Sequence, residues 1–381
     1  MNGNIASPSY WERESLSRWD YIILGAGIVG ISTALELRAL HPGARILILE
    51  RGLMPMGASS RNAGFGCFGS LSEILDDLQH MTEAEVQALV AMRWKGLQRL
   101  RARVGDDRMG LEPCGGYELL TPALDHCLDH MDRINALLQP IIGAPVFQLA
   151  DDRGQAMQFG AGAYTHLVFN PYEAAINTGE LMATLLQLVR QQDIALITGA
   201  DVLQLEDTPH GMVLHTTVGT TFEARQVGVC TNAFTRKLLP HLELEPGRGG
   251  VLVTKPIPGG VPFRGVFHMD EGYVYFRHLG PDRVLIGGGR NRFRQAEATT
   301  DFAMNPDVEA YIHSLLDEVV LPGRSWEADI AWTGIMAFGD VKAPILQRVS
   351  PHLCVGVRMG GMGVAIGSQV GLQLAELLSH A

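Results

Sequence analysis

No stretch of this sequence runs apolar for the roughly 18 to 20 residues that a membrane-spanning helix needs. The first twenty residues, MNGNIASPSYWERESLSRWD, are polar and carry acids, without the apolar core of a secretion signal. Cysteine is sparse: five in 381 residues (Cys67, Cys114, Cys127, Cys230, Cys354), none in CxxC or CxxH spacing. That argues against a zinc site and a disulfide framework, and fits the reduced thiols of a cytoplasmic protein. Positive charge is also short, with 30 Lys and Arg against 41 Asp and Glu and a net charge of -11. A nucleic-acid binder would show the opposite balance. Repeats, low-complexity tracts and a long Pro/Ser linker are all lacking. What is abundant is apolar residues (46%) and glycine (44 residues), enough for a globular α/β chain of about two domains.

The glycines cluster. YIIL (21 to 24) leads into GAGIVG (25 to 30), a helical stretch to about Leu40, and ILILE (46 to 50). Strand, tight turn, helix and strand make a βαβ unit on a parallel sheet. Gly25 permits the turn, Gly27 lets backbone approach a pyrophosphate, and Gly30 lets helix and strand pack closely. Ile28 and Val29 open the helix, whose first N–H groups favour a phosphate anion. Glu50 ends the second strand, where a carboxylate can accept hydrogen bonds from ribose hydroxyls. This context raises GxGxxG to a dinucleotide site without choosing between NAD and FAD.

Apolar spacing predicts helix over 71 to 103 and 177 to 192, then strand over ALITGADVLQLE. Alternating segments fill 212 to 290, antiparallel in style from about 248, and the chain ends LCVGV, RMGGMG and a helix from about Val364 to Leu378. A second glycine-rich loop, GASSRNAGFGCFG (57 to 69), follows the βαβ unit closely. Read alone, it fits a flexible connector, a redox site on Cys67, or part of a cofactor cradle.

ILILERG followed by GASSRNAGFG resembles the flavoprotein family of D-amino-acid oxidase, glycine oxidase, sarcosine oxidase and γ-glutamylputrescine oxidase. VGVCTNAFTRKLLP (227 to 240), YVYFRHLGPDRVLIGGGRNRF (273 to 293), and WTGIMAFGDVKAPI with RMGGMGVAIGSQVG agree with it. The likeness runs from about Tyr21 to Leu378 and is thinnest over 84 to 149.

The resemblance implies FAD, and a loop crossing from pyrophosphate to flavin ring. Arg51, Ser59, Ser60, Arg61, Asn62 and Ala63 would supply its polar and backbone contacts, and Gly64 and Gly66 clearance at the ring. Val202 would meet the adenine; Thr231, Asn232 and Ala233 would close over the dinucleotide. Gly360, Gly361, Met362, Gly363 and Val364 would aim a helix start at the flavin's pyrimidine edge. Three departures stand out. Met362 replaces the family's usual histidine. WTGIMAFGDVKAP lacks the cysteine through which some members bind flavin, so FAD is expected to be non-covalent. Leu285 or Ile286 stands near the sarcosine-oxidase lysine that assists reaction with oxygen, so O2 and another electron acceptor both stay open.

On the substrate side, alternation puts Tyr275 and Arg277 on one face of a strand. Arg277 could hold a carboxylate, as could one of Arg290, Arg292 and Arg294; Tyr117 is a weaker wall candidate, and His268 reads as structural. The resulting expectation is an FAD-dependent enzyme oxidising the C–N bond of a small amine or amino acid to an imine, with no general base required. The alternatives are an FAD-dependent 2-hydroxy-acid dehydrogenase, a flavin electron-transfer protein and an NAD-only enzyme. The expected architecture is α/β: a Rossmann-type FAD-binding domain (1–83, 150–244 and 326–381) with a second, mixed or antiparallel α+β substrate domain (84–149 and 245–325).

Overall fold

Ile46–Glu50 is buried at every position, as an apolar run covered on both faces of a parallel sheet must be. A computed structural model describes residues 9–380. The first eight residues, part of the stretch read above as lacking a secretion signal, and Ala381 lie outside them. The first sheet runs Ile345–Ser350, Leu353–Val357, Thr221–Val229, Arg18–Leu24, Ile46–Glu50, Ala195–Thr198. Its four inner junctions, from Leu353–Val357 to Ala195–Thr198, are parallel. An antiparallel meander, Val202–Thr208 and Gly211–Thr216, hangs from Thr221–Val229. Alternate residues of Arg18–Leu24 feed separate cores. Ile23 packs among the helices Ile28–Leu40, Thr178–Gln191 and Gly363–Ser379. Ile22 and Leu24 pack towards the meander and the Leu239–Leu244 segment.

The second sheet runs Ala328–Phe338, Glu245–Thr254, Arg283–Gly288, Val274–Leu279, Val266–Met269, Gly116–Leu120, His166–Asn170, Gln148–Leu149. All its pairings are antiparallel except that of Val266–Met269 with Gly116–Leu120. Period-two alternation gives the sheet two faces. Phe267, Phe276, Ile286 and Leu252 fill an apolar core with the helix Pro306–Leu315. Phe267 and Phe276, opposite in register, stack at 4.7 Å. The other face carries a row of cross-strand neighbours: Trp332, Val251, Gly287, Tyr275, His268 and Glu118.

His166–Asn170 and Ala328–Phe338, which the expected boundaries place with the first domain, are hydrogen-bonded into this second sheet. The segment expected as one helix over 71–103 is two, Leu71–His80 and Glu83–Val104, parted at Met81 and Thr82, where a capping box with Glu85 starts the second. Glu83–Val104 sends Leu89, Leu97, Leu100 and Val104 into the first sheet's helical core. Among the described residues no helix is long and apolar enough to cross a membrane.

Candidate functional site

A cavity of about 430 Å³ lies between the two sheets, its walls drawn from both. On the first-sheet side stand Gly25, Gly27, Ile28 and Val29, where YIIL gives way to its helix. Gly25 has φ +101°, and an added Cβ would press on the Cys230 carbonyl at 3.0 Å. Gly27 has ordinary extended backbone, so what it supplies is space at the wall. Gly30 is off the wall: a Cβ there would sit 1.9 Å from the Gly25 carbonyl, which fixes helix against turn. The Glu50 carboxylate accepts from Ala26 N–H at 3.0 Å and Gly52 N–H at 3.0 Å and also borders the cavity. It therefore shapes the turn with lone pairs remaining for a ligand.

The second glycine loop does cross the cavity, as a short helix Ala58–Arg61 and an extended strap. Ser59 accepts from Ile28 N–H at 2.9 Å, tying the two glycine loops together. Ser60 points away, donating to Pro55 O. Arg61 lines the wall with Nε on Thr333 O at 2.6 Å and its guanidinium over Phe302. Asn62 braces the strap, accepting from Gly64 N–H and Thr178 Oγ1. Ala63 is on the wall but Gly64 is not. A Cβ on Gly64 would strike Ile176 O at 2.3 Å and Arg277 Nη2 at 2.9 Å, so its clearance serves the strap's anchoring and not a ring. Gly66 likewise faces Ile176, not the cavity.

Arg51 and Val202 line the opposite end, with the Arg51 guanidinium 3.6 Å over the Phe234 ring. Thr231 and Asn232 are on the wall, and Asn232 Oδ1 accepts from Arg358 N–H at 3.0 Å; Ala233 is buried in the core behind them. Gly360 and Gly361, both at positive φ, turn the chain so that Met362, Gly363 and Val364 open the last helix on the cavity. Neither Gly27 nor Met362 caps its helix with its own side chain; Ser59 takes Ile28 N–H, and the remaining first-turn N–H groups of both helices lie at the cavity. Paired anion-favouring helix starts, a glycine cleared of side chain and a carboxylate at a strand end fit a flavin adenine dinucleotide.

On the second-sheet side, Tyr275 is on the wall; Arg277 is not. The Arg277 guanidinium is buried and donates to Ala63 O at 2.9 Å and Ile176 O at 3.1 Å, binding the strap from behind. Expected to clamp a substrate, it holds backbone instead. Arg290 takes the open place. It lines the cavity, lies 3.8 Å over the Phe338 ring, and no side-chain hydrogen bond or ion pair ties it to another described residue. Burial lowers its pKa from the ordinary value. Arg294 is also on the wall, whereas Arg292 lies over Tyr311. Tyr117 turns into the aromatic core, stacked on Phe267 at 5.3 Å. Burial pushes the Tyr275 hydroxyl up to about 12.

His268, expected to be structural, is on the wall. One imidazole nitrogen meets the buried Glu173 carboxylate at 2.7 Å. Burial opposes charge on the ring, but Glu173, Glu118 and Glu73 outweigh it and raise its pKa above the ordinary 6.5. Cys67 lines the cavity too; burial first, then Glu173 and Glu73, hold its thiol well above the usual range.

A model of the FAD dependent oxidoreductase family, DAO, matches residues 20–377. L-2-Hydroxyglutarate dehydrogenase of Escherichia coli (strain K12) is 24% identical over 234 residues, 60% of this chain and 51% of that protein. The aligned region thus spans about half the length of that relative. Among solved structures, glycine oxidase from Geobacillus kaustophilus is similar with a TM-score of 0.76 and 22% identity, over 96% of this chain and 95% of that one. L-Proline dehydrogenase from P. horikoshii is similar with a TM-score of 0.76 and 15% identity, over 96% and 94%. At such identities these structures speak for the fold alone.

Proposed function

The chain belongs to the family of FAD-dependent oxidoreductases, and from that premise we propose that it oxidises the C–N bond of a small amino acid or carboxylate-bearing amine. Bound FAD supplies the two-electron acceptor; the protein supplies binding, alignment and shielding from water. The residues to hold FAD are the wall-forming set: Gly25, Gly27, Ile28, Val29, Glu50, Arg51, Ser59, Arg61, Asn62, Ala63, Val202, Thr231, Asn232, Gly360, Gly361, Met362, Gly363 and Val364.

The observation that carries the substrate class is Arg290. A partly buried guanidinium without a hydrogen-bonded partner is costly unless an anion completes it. Facing the cavity, it offers a planar fork to a carboxylate, and Tyr275 stands on the same wall. Glycine and proline, in the names of the similar solved structures, are amino acids. The name of the curated relative supports a second reading, a 2-hydroxy acid, for which Arg290 would serve equally. FAD is held without a covalent bond in either case. The strand and loop from Trp332 to Pro344 carry no cysteine, and Cys67, the thiol on the wall, is kept protonated and a poor nucleophile.

The test is an anaerobic screen of amines, amino acids and hydroxy acids for bleaching of the oxidised-flavin band in purified holoprotein. Bleaching by amino acids or amines is expected. Reduction by hydroxy acids alone would transfer the protein to the second reading, and reduction by none of them would sink both.

A further inference from the structure

The cavity holds a group that FAD and Arg290 do not use. His268 sits in the row Glu118, His268, Tyr275 across three strands, all on the face turned to the cavity. Its imidazole Nε2 is engaged by Glu173 at 2.7 Å, and Nδ1 has no hydrogen-bond partner among the described residues. Glu173 is itself 1% exposed and further fixed by Asn170 Nδ2 at 3.3 Å. A buried carboxylate behind one nitrogen of a cavity-lining imidazole, with the other nitrogen open, orients the ring and strengthens it as a base.

We propose that His268, backed by Glu173, accepts the proton that an ammonium substrate must lose before its C–H bond is broken. The proposal rests on the amine reading above. The N–H proton passes to Nδ1, and its bonding pair stays on nitrogen as a lone pair. When the neighbouring C–H hydrogen leaves with its electron pair for the oxidant, FAD, the lone pair forms the C=N bond, and water hydrolyses the imine. Charge stays matched because the imidazolium formed faces a carboxylate. Phe65 packs edge-on to the ring at 5.5 Å and limits water on that side.

The other ionisable groups around the ring are Glu118 and Tyr275 from the strands on either side and Glu73 from the helix Leu71–His80, and Cys67 of the strap shares the cavity wall. Beyond Glu73 stand Arg93, at 3.4 Å, and Lys342, which pairs with Asp76 and Asp77. Burial raises the pKa of Glu118, whose carboxylate accepts from Ser70 and Ser72. The three glutamates favour the charged imidazole, so His268 is protonated to a higher pH than an ordinary histidine. Proton acceptance therefore appears as a rate that rises with pH through the raised pKa.

Two readouts test this on the FAD-loaded protein. One is the titration of the His268 ring by nitrogen NMR, its signal identified by loss in His268→Asn. The other is the rate of anaerobic flavin reduction by the best amine substrate as a function of pH. The ring midpoint is expected above 6.5 and to coincide with an acid limb of the rate. His268→Asn should retain FAD, lose that limb, and reduce flavin roughly 100-fold more slowly on the alkaline plateau. Glu173→Gln should move ring midpoint and limb to lower pH together, which a merely structural histidine would not do. A limb that survives His268→Asn, or that stays in place while the ring midpoint moves, overturns the proposal. If only hydroxy acids bleach the wild-type flavin, the amine reading falls by itself, and the same limb measured on the hydroxy acid judges His268 as acceptor of a hydroxyl proton.

Discussion

At the scale of single residues, two arginines divide the proposed tasks of anchoring and binding: Arg277 in the second sheet and Arg290 in the turn that follows its strand Arg283–Gly288. Arg277 is closed on both sides by backbone carbonyls; Arg290 has aromatic rings beside it and no ionic partner among the described residues. Arg290→Met should lower kcat/KM for a carboxylate substrate roughly 10- to 100-fold, mostly through KM, since a hydrogen bond to a charged group is worth about 1.5–3 kcal/mol. FAD content and melting temperature should stay near wild type. Arg277→Met should do the reverse. It leaves the Ala63 and Ile176 carbonyls buried without their donor, costs about 2–4 kcal/mol of stability, and loosens the strap while the FAD-loaded fraction keeps its KM. Steady-state kinetics and thermal melts of the two variants separate the roles, and equal effects on KM would refute the division. The strand alternation of YVYFR correctly placed Tyr275 and Arg277 on one face. It could not tell a satisfied guanidinium from an open one, because Arg277's acceptors lie 214 and 101 residues away. His268 was illegible for the same reason: Glu173 is 95 residues off, and no local motif marks the pair.

At the scale of elements, the last helix, Gly363–Ser379, is placed by small residues on two sides. Gly367 and Gly371 bring it against the glycine-loop helix, where added Cβ atoms would meet Ile28 Cγ2 at 2.9 Å and Ser32 Cβ at 2.5 Å. On its other side Gly96, in the middle of Glu83–Val104, would drive a Cβ to 2.1 Å from the Ala365 carbonyl. Ser368 Oγ donates to the Gly96 carbonyl at the same crossing. The N-terminus that faces the cavity is thus set by a helix remote in sequence. Gly96→Val should destabilise by about 3 kcal/mol or more through backbone overlap and weaken FAD binding, whereas Gly43→Val, in open space, should change neither. Urea unfolding and FAD titration read both effects; unchanged FAD affinity in a folded Gly96→Val would show the crossing to be irrelevant to the site. The parallel βαβ unit and the closing strand and helix were legible because their signals are local: buried runs, glycines at fixed spacing, a terminal carboxylate. The helix break at Thr82 also had a local sign, TEAE, which the longer apolar periodicity masked. Which sheet received His166–Asn170 and Ala328–Phe338 was not legible, since both alternate like any strand and only tertiary pairing assigns them.

At the scale of the whole molecule, the proposed FAD site lies where two sheets meet, which makes FAD affinity part of the folding free energy. Walls from Gly25 to Ala365 close around one cavity, with Arg61, Ala63 and Thr333 contacts crossing between the glycine strap and the second sheet. A ligand that binds only the folded state stabilises it by about 2.7 kcal/mol at a concentration 100-fold above its Kd. The apoprotein should accordingly melt several degrees below the holoprotein, with a melting temperature that climbs with added FAD. Gly27 isolates this coupling. Its backbone is open to any residue, and the nearest obstacle to a Cβ is the rotatable Ser59 hydroxyl at 2.9 Å. Gly27→Val should therefore cost the apoprotein only the Ser59–Ile28 hydrogen bond, about 1 kcal/mol, while abolishing the rise of its melting temperature with FAD. If FAD is held by the closed fold and by no covalent bond, as proposed, denaturing the wild-type holoprotein should release all the flavin and leave a chain of unmodified mass. Calorimetry across an FAD series, followed by mass measurement of the denatured chain, checks both statements. Parallel FAD-dependent shifts in wild type and Gly27→Val would place the pyrophosphate elsewhere, and flavin retained on the denatured chain would return Cys67 to the centre of the site.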